Sequence, residues 1–229
     1  MDAYFAAQIV AAERPLLAAG EPLMARAARG LATQIEAELG KKGGPILLVV
    51  GAGNNGGDAL YAAAELSNWG RLVQVLPVAG RIHQGGLQAA LDTGAELLAE
   101  PGAPVAELVA AVGEYAPRAS VVVDGVLGTG SAGRAALRNP AREVVAVLSQ
   151  LRSAGQLGLV VAVDLPSGLD CDTGEVPDPA VLPADLTVTF GAYKVGQLVG
   201  EGPRLCGRLH LIDIGLGPQL SQLSPTQVG

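Results

Sequence analysis

A buried-strand pattern that runs directly into a glycine-rich loop and then into a helical pattern constrains the fold of this chain most strongly. Residues 46–50 are all aliphatic, and a helical pattern extends from about 58 to 69. The loop between them combines glycines with short polar side chains: Gly51, Gly53, Asn54, Asn55, Gly56, Gly57 and Asp58. Backbone N–H groups of such a loop can approach a phosphate, and the helix N-terminus adds a partial positive charge. Because a phosphate needs none of the three polar side chains, we expect a second ligand there.

The loop also matches the Gly-x-Gly-x-x-Gly pattern of dinucleotide-binding folds. That pattern is completed by an acidic residue roughly 20 residues on, at the end of the next strand, which binds the ribose. The next predicted strand ends in residues 77–81, which include Arg81 and no acid. The sequence therefore disfavours a standard NAD-dependent dehydrogenase, and a glycine-rich turn without a ligand remains the structural alternative.

Strand and helix patterns alternate along the rest of the chain. Strands are predicted at 46–50, 72–77, 119–124, 158–163, 185–190 and 208–212, and helices at 58–69, 85–99, 103–114 and 139–154. Two further helices, at 3–19 and 22–39, precede the first strand, and a linker at 41–45 joins them to it. This alternation predicts an α/β fold with a mostly parallel sheet and helices on both faces, in which ligands bind at the carboxyl ends of the strands.

Composition limits the class of protein. The chain has 229 residues, of which 49% are hydrophobic, enough for one large domain with a sizeable core. Its formal net charge of −7 argues against nucleic acid and anionic membrane surfaces as partners. Two cysteines, Cys171 and Cys206, cannot form a disulfide framework, so we expect a reducing, cytoplasmic location. Residues 216–229 are polar with little periodicity, and we expect one domain, 1–215, followed by a frayed tail or a linker.

Polar residues lie at the ends of several predicted strands. Asp124 and Asp164 each close an apolar strand and precede a glycine-containing loop, and Ser167 follows Asp164 closely. In a parallel sheet these residues and Asn55 can face one crevice. Their hard oxygen atoms suit a group I or II cation, and a single carboxylate in the set favours a monovalent ion such as K⁺. The alternative is that Asp124 and Asp164 only cap helices or brace turns.

A second glycine-rich loop and a lysine add to this crevice. The loop at 128–133 is followed by Arg134, which can pair with a phosphate. Two such loops suit a pyrophosphate or a dinucleotide, although a flexible surface loop is the alternative. Lys194 follows the predicted strand at 185–190. A lysine there can neutralise a phosphate or transfer a proton, and the alternative is a solvated surface side chain.

Four ordered motifs together cover most of the chain. They are Gly-Ala-Gly-Asn-Asn-Gly-Gly-Asp (51–58), Asp-Gly-Val-Leu-Gly-Thr-Gly (124–130), Val-Asp-Leu-Pro-Ser-Gly-Leu-Asp with Asp-Thr-Gly (163–174) and Thr-Phe-Gly-Ala-Tyr-Lys-Val-Gly (189–196). With these motifs the chain resembles the NAD(P)H-hydrate epimerases, the YjeF-type N-terminal domain. It departs from that family at 25–28, where Ala-Arg-Ala-Ala stands in place of a frequent Glu-Asn-Ala-Gly.

The resemblance implies a Rossmann-like, doubly wound fold, often in a homodimer. It implies interconversion of the R and S forms of NADHX or NADPHX, the hydrated nicotinamide cofactors, at C6 of the nicotinamide ring. An ATP- or ADP-dependent dehydratase specific for the S form would be the functional partner. One K⁺ per subunit would be held by Asn55, Asp124 and Ser167.

The resemblance also implies the substrate-binding residues, by motif position. The set comprises Asn54, Asn55, Gly56, Gly57, Asp58, Gly128, Thr129, Gly130, Ser131, Ala132, Gly133, Arg134 and Asp164. For catalysis we expect Asp164 to be the acid/base, with a pKa raised by desolvation at the strand end. Lys194 is the second catalytic candidate, either in a proton relay or as a phosphate contact.

Two other functions remain open. One is a non-catalytic nucleotide-binding or scaffold module on the same fold, although such modules are expected to lose the carboxylates and glycines that are present here. The other is a nucleotide-dependent kinase or transferase, but residues 56–58 lack the lysine of a Walker-type loop. The sequence leaves the preference between NADHX and NADPHX undetermined, and it assigns no role to Arg138.

Overall fold

Seven parallel strands form the central sheet of the computed structural model, which describes residues 1–40 and 43–227. The strands are β1 (Asp2–Tyr4), β2 (Ile46–Val50), β3 (Val73–Pro77), β4 (Glu96–Leu97), β5 (Val121–Gly125), β6 (Leu159–Val163), β7 (Leu186–Phe190), β8 (Tyr193–Lys194), β9 (Arg208–Ile212) and β10 (Thr226–Gln227). The helices are α1 (Ala6–Ala18), α2 (Leu23–Leu39), α3 (Asn54–Asn68), α4 (Gln84–Asp92), α5 (Val105–Tyr115), α6 (Ala141–Ser153), α7 (Val195–Leu198), α8 (Gly202–Leu205) and α9 (Gly217–Leu220). β1, β8 and β10 form a separate small sheet.

The strand order places a topological switch point near the centre of the large sheet. The order is β4-β3-β2-β5-β6-β7-β9, and every neighbouring pair is parallel. The chain moves outward from β2 to β3 and β4, and then returns to the other side of β2 to form β5. Ligands of doubly wound sheets bind outside the carboxyl ends of the strands at such a reversal. The predicted Rossmann-like α/β class is confirmed, and the loops after β2 and β5 lie at the expected ligand site.

Two hydrophobic layers cover the two faces of the sheet. β2 shows the division, because Leu48 packs in the layer that α1–α4 form, whereas Leu47 packs in the layer that α5 and α6 form. Both side chains are fully buried. Successive strand residues point to opposite faces, so an uninterrupted aliphatic run is what a strand covered on both faces requires.

Two predicted helix boundaries differ from the structure by several residues. The helix predicted at 58–69 begins earlier, at Asn54, so the polar end of the first glycine-rich loop is its first turn. The helix predicted at 85–99 ends at Asp92, because Gly94 adopts a φ of 97° and the chain then forms the edge strand β4. The other predicted elements after the first helix agree with the structure to within two residues at each end.

The two ends of the chain pair with each other. The first helix begins at Ala6, because the preceding strand β1 pairs with β8 and β10. Leu216 and Leu220 are buried in the core, so the expectation of a frayed tail is wrong for residues 216–227. Part of the predicted linker, residues 41–42, lies outside the described residues. Within the described ranges, the structure contains no helix that is both long and apolar enough to cross a membrane.

Candidate active site

A cleft of about 300 Å³ lies at the carboxyl ends of β2, β5 and β6. Its lining residues are Ile9, Val10, Glu13, Gly53, Asn54, Asn55, Asp58, Val126, Leu127, Gly128, Thr129, Gly130, Ser131, Asp164, Phe190 and Lys194. The cleft therefore unites most of the predicted site residues from the three loops. Helix α1, which the sequence motifs do not include, contributes two apolar side chains and the carboxyl group of Glu13.

The N-terminus of α3 is uncapped and lies at this cleft. Gly53, at the N-cap position, makes no side-chain hydrogen bond to the first turn. The Gly57 N–H donates to the Gly53 carbonyl as the first turn closes. The N–H groups of residues 54–56 are therefore left for a ligand. Together with the helix dipole they form an anion site that suits a phosphate.

Gly56 and Gly57, both predicted to bind substrate, do not line the cleft. A Cβ on Gly56 would lie 2.2 Å from the carbonyl oxygen of Gly51. A Cβ on Gly57 would lie 3.1 Å from atoms of both His83 and Met24. Both glycines are buried in α3. Their absent side chains let α3 approach the preceding loop and the neighbouring helices, which is a packing role.

The second glycine-rich loop uses most of its N–H groups within the protein. The Thr129 N–H donates to Asp164 Oδ2 at 3.1 Å, and the Gly133 N–H donates to Asp170 Oδ2 at 2.7 Å. Carbonyls of the same loop accept from the N–H groups of Ser131, Ala132 and Arg134. Residues 128–131 line the cleft, whereas Ala132 and Gly133 do not. Carboxylates thus hold this loop over the cleft, and few of its N–H groups remain for a phosphate.

A buried ion pair lies at the cleft. Lys194 Nζ donates to Asp164 Oδ1, and the lysine side chain is only 1% exposed. Thr189 Oγ1 donates to the same oxygen at 3.1 Å, and Thr129 donates to Oδ2 through its N–H at 3.1 Å and its hydroxyl at 2.5 Å. Burial raises the pKa of Asp164, but the charge of Lys194 and these hydrogen bonds outweigh it and hold the pKa below its ordinary value. The prediction of a raised Asp164 pKa is therefore wrong, and the group is a carboxylate at neutral pH.

Lys194 has no donor left for a phosphate. Its ammonium donates to Asp164 Oδ1, to Thr189 Oγ1 at 2.9 Å and to the Phe190 carbonyl at 3.0 Å. An ammonium has three donors, so its capacity is filled within the protein. The burial of Lys194 contradicts the solvated-lysine alternative, and its filled donors give no support to a phosphate contact. The proton relay stays a prediction, and the observed contacts are those of a side chain that holds Asp164 ionised and fixed.

The backbone of Asp164 adopts an unusual conformation. Its φ of 68° lies in the left-handed region, which costs a non-glycine residue on the order of 1 kcal/mol or more. The Asp164 N–H donates to the Val188 carbonyl at 2.7 Å, and its carbonyl accepts from Gln197 Nε2 at 2.6 Å. Buried hydrogen bonds therefore fix the strained residue in place. Strain of this kind is typical of positions where a functional side chain must be aimed.

Two further carboxyl groups, those of Asp58 and Glu13, share the cleft with Asp164. Burial, followed by the charges of Asp164 and Glu13, raises the pKa of Asp58 well above its ordinary value. Burial also raises the pKa of Glu13. Neither carboxyl group makes a hydrogen bond or ion pair within the described part of the chain. A carboxyl group with a lowered pKa thus lies near two with raised pKa values, and pKa values pushed apart in this way are typical of acid–base sites.

The predicted metal ligands Asp124 and Ser167 are in direct contact. The Ser167 hydroxyl donates to Asp124 Oδ1 at 2.5 Å, and the Ser167 N–H donates to Oδ2 at 2.8 Å. The third predicted ligand, Asn55, lies against the connecting loop, since a Cβ on Gly128 would be 2.7 Å from Asn55 Oδ1. All three side chains are buried.

The chemistry of this set fits a monovalent cation. The hydrogen-bond partners of Asp124 are the neutral groups of Ser167 and the Val126 N–H. Burial raises the Asp124 pKa despite these bonds, so a cation would supply a missing positive charge. The buried Asn55 Nδ2 has no partner among the described residues, and turning the amide over would present an oxygen there. Asp124 is the only carboxylate of the set, and one negative charge among neutral oxygen atoms suits K⁺ better than a divalent ion.

A second cleft, of about 480 Å³, adjoins the first. The residues that line both clefts are Val126, Leu127, Gly130 and Ser131. The second cleft extends towards the carboxyl end of β3, where residues 78–80 line it. Arg134, a predicted phosphate ligand, lines this second cleft and not the first, as does Arg138.

Several residues that complete the site were not predicted from the sequence. Thr189 and Gln197 are fully buried and bond to the Asp164–Lys194 pair. Thr189 had a usable signal, because a hydroxyl inside a buried apolar strand needs a polar partner. Glu13 had none, since nothing in the pattern of α1 indicates that it closes a cleft formed by distant loops.

The fold and this site define a class of protein. An anion site and paired acid–base groups meet at the switch point of a doubly wound sheet, as expected of an enzyme acting on a phosphorylated, nucleotide-like substrate. The sequence matches the family model described as YjeF-related protein N-terminus over residues 20–196, and the chain belongs to this family.

Relatives with similar sequences carry informative names. The chain is 50% identical to NAD(P)H-hydrate epimerase of Clavibacter michiganensis subsp. michiganensis, over 94% of this chain and 91% of that protein. It is 45% identical to the Microbacterium testaceum protein of the same name, over 97% of this chain and 82% of that protein. The bifunctional NAD(P)H-hydrate repair enzyme Nnr of Mycobacterium tuberculosis is 41% identical, over 91% of this chain and 40% of that enzyme. The crystal structure of yeast ynu0 (YNL200c) shares the fold, with a TM-score of 0.72 and 19% sequence identity. The match covers 86% of this chain and 83% of the yeast chain.

Proposed function

We infer that this chain is an isomerase that interconverts the R and S forms of NADHX or NADPHX at C6 of the nicotinamide ring. The family and the names of the similar proteins identify the reaction. One structural observation carries its assignment to the cleft. The ionised Asp164 and the protonation-prone Asp58 line the same cleft as the uncapped N-terminus of α3.

The chemistry of the substrate sets what the site must provide. C6 carries a hydroxyl group and is bonded to the ring nitrogen. When an acid protonates the hydroxyl, it leaves as water, and the nitrogen lone pair stabilises the resulting cation. Water then adds to the opposite face and gives the epimer. The site must therefore supply a proton donor, an anion near the developing cation and an anchor for the pyrophosphate.

Asp58 is the proton donor in this proposal, because its surroundings favour the protonated form. Because water adds to the face opposite Asp58, its extra proton passes to solvent, and the Asp58 carboxylate takes up a proton from solvent, which restores the acid. Asp164 is the anion that stabilises the cation, because Lys194 and Thr129 keep it ionised and fixed. This assignment changes Asp164 from the expected proton donor to an electrostatic stabiliser.

The N-terminus of α3 is the proposed anchor for the pyrophosphate. Its N–H groups at residues 54–56 have no intrahelical acceptors, and the helix dipole favours an anion there. Ile9 and Val10 of α1 also line the cleft with apolar groups, which help to exclude bulk water from the reacting ring.

K⁺ is the proposed cofactor, with one ion per subunit held by Asn55, Asp124 and Ser167. When bound, it would neutralise Asp124 and brace the loops that follow β2, β5 and β6. This role rests on the uncompensated charge of buried Asp124 and on the unpartnered amide of Asn55. The proton transfers at C6 are left to Asp58.

Potassium should stabilise the protein even without substrate. At a concentration tenfold above its Kd, K⁺ contributes about 1.4 kcal/mol by mass action, which raises Tm by about 3–6 °C. Thermal unfolding in KCl and in N-methylglucamine chloride of equal ionic strength measures the difference. Asp124→Asn should abolish it, whereas Asp92→Asn, a matched change at an exposed position, should retain it. Equal Tm values for the wild type in the two salts would contradict the cation site.

A coupled assay tests the proposed function. An R/S mixture of NADPHX is incubated with a purified S-specific dehydratase, ATP and K⁺, and the recovery of NADPH is followed by its absorbance. Slow uncatalysed epimerisation of the R form gives a slow phase. The chain should abolish this phase, and Asp164→Asn should not. An unchanged slow phase with NADP-type ligands still bound would favour the non-catalytic module.

We propose an S-specific dehydratase as the functional partner. The chain matches only 40% of the length of the relative named a bifunctional repair enzyme, which leaves room in that protein for a second activity. A homodimer and a cytoplasmic location belong to the same proposal. Cys171 and Cys206 are free and buried, as expected for a protein of a reducing compartment.

A further inference from the structure

The second cleft is distinguished by its charge. Arg134 and Arg138 line it, and Arg81 directly follows the lining residue Gly80. Both lining arginines are exposed, and no Asp or Glu is among the described residues that line this cleft. A positively charged cleft attracts an anionic ligand, and this one stands out on a chain with a formal net charge of −7.

Most arginines elsewhere on the protein are paired with carboxylates. Those that form ion pairs with carboxylates are Arg26, Arg29, Arg71, Arg118, Arg142, Arg152, Arg204 and Arg208. By contrast, Arg81, Arg134 and Arg138 form no hydrogen bond or ion pair through their side chains within residues 1–40 and 43–227. Arg14 on α1 is likewise unpaired there, but it does not line the cleft. Unpaired guanidinium groups are therefore concentrated around the second cleft.

The end of β3 carries the residue type that accommodates an additional phosphate. In dinucleotide-binding folds, an acid at the end of the second strand bonds the ribose 2′-hydroxyl of NAD, whereas a nearby arginine accommodates the 2′-phosphate of NADP. Here β3 is followed by residues 78–81, which contain Arg81 and no acid. A phosphate monoester is doubly charged near neutral pH, and guanidinium groups bind it through paired hydrogen bonds.

We propose that the second cleft binds the adenosine end of the substrate, and that Arg81, Arg134 and Arg138 select NADPHX over NADHX through its 2′-phosphate. The proposal rests on the proposed function for the position of the nicotinamide ring in the first cleft. The two clefts share four lining residues, so one dinucleotide spans both, with its pyrophosphate at the N-terminus of α3.

Calorimetric titration with NADP⁺ and NAD⁺ measures this selectivity without turnover. The wild type should bind NADP⁺ at least about tenfold more tightly, as expected for one charge-assisted contact or more. The double variant Arg134→Gln/Arg138→Gln should bring the two Kd values close together, mainly by weakening NADP⁺. Arg14→Gln removes an equally unpaired charge outside the cleft and should keep the wild-type ratio. Adenosine 2′,5′-bisphosphate and AMP carry only the adenosine end, with and without the 2′-phosphate. The bisphosphate should bind the wild type and Arg14→Gln more tightly than AMP does, and the double variant should lose this difference.

Equal Kd values for NAD⁺ and NADP⁺ in the wild type would overturn the proposal. An equal loss of both affinities in the double variant would also overturn it, because the arginines would then bind a group that both ligands share. Failure of the proposed function looks different. A chain that prefers NADP⁺ but leaves the slow epimerisation phase unchanged retains this cleft and loses the epimerase assignment. A chain that epimerises NADHX and NADPHX with equal kcat/KM keeps the epimerase assignment and loses the proposed role of the second cleft.

Discussion

Replacing Lys194 with methionine should abolish epimerase activity and destabilise the fold by about 3–5 kcal/mol, or roughly 6–20 °C in Tm. The substitution leaves the Asp164 carboxylate buried without its cation, and it removes the donor to Thr189 and Phe190 as well. Asp164 would then favour the protonated form and could no longer stabilise a cation at C6. Thermal unfolding and the coupled assay measure the two effects on one preparation.

The loss of stability in Lys194→Met should depend on pH. In the wild type, the lowered pKa of Asp164 contributes stability above its unfolded-state pKa, and this contribution is lost as pH falls through the folded-state pKa. In the variant, burial without a cation raises the Asp164 pKa, so stability is lost as pH rises above the unfolded-state value. The two proteins should therefore differ most near neutral pH and converge in acid. A Tm difference that is constant across pH would contradict the ion-pair account.

The double variant Asp164→Asn/Lys194→Met separates stability from chemistry. It leaves no buried charge without a partner, so it should recover most of the lost stability. It should recover no activity, because the site still lacks the anion. If Lys194→Met alone does not fold, the comparison of Asp164→Asn with the double variant still tests the account. Activity of the double variant within tenfold of wild type would contradict the role of Asp164.

Replacing Asp58 with asparagine should lower kcat about 10²–10⁴-fold and yet raise thermal stability. Burial raises the pKa of Asp58, so the folded protein loses stability as pH rises from the unfolded-state pKa through the folded-state pKa. Asparagine has nearly the same shape and no charge, so this loss disappears. The gain should be largest at neutral pH and vanish towards the ordinary aspartate pKa of about 3.9, with each kcal/mol worth about 2–4 °C.

The pH dependence of turnover provides a second test of Asp58. Wild-type kcat should fall as pH rises through the Asp58 pKa, because the donor must be protonated, and the residual rate of Asp58→Asn should lack this dependence. Glu65→Gln on the same helix removes a carboxylate that faces Arg29 away from the cleft. It should leave kcat unchanged and alter stability by less than about 0.5 kcal/mol. A joint loss of kcat and Tm in Asp58→Asn would instead show that Asp58 is structural.

The large sheet could be predicted because its strands have a clear sequence pattern. The aliphatic run at 46–50 and its counterparts can be buried on both faces only in a parallel sheet with helices on each side. The small sheet could not be predicted, because β1 and β10 are two or three residues long and carry no periodicity. These two strands form because the two ends of the chain meet in the folded protein. A contact between residues so distant in sequence leaves no local sequence pattern.

Most of the residues that form the site could be predicted from the sequence, but the direction of their pKa shifts could not. The motifs placed Asp124, Asp164 and Ser167 at one edge of the sheet, and Asp124 and Ser167 are in contact there. The direction of the Asp164 pKa shift was missed. It depends on Thr129 and Lys194, which are 35 and 30 residues away in sequence and meet Asp164 only in the folded chain. Burial alone favours the opposite direction, so only the observed contacts decide the sign.

Chromatographic separation of the R and S epimers tests the epimerase assignment most directly. Pure (S)-NADPHX is incubated with catalytic amounts of the protein and K⁺ in H₂¹⁸O, and both epimers are followed with time. We predict that the R form appears at a rate proportional to protein concentration until the two forms equilibrate, and that it carries ¹⁸O at C6. Conversion of the S form no faster than without protein, or undiminished conversion by Asp164→Asn, would contradict the account.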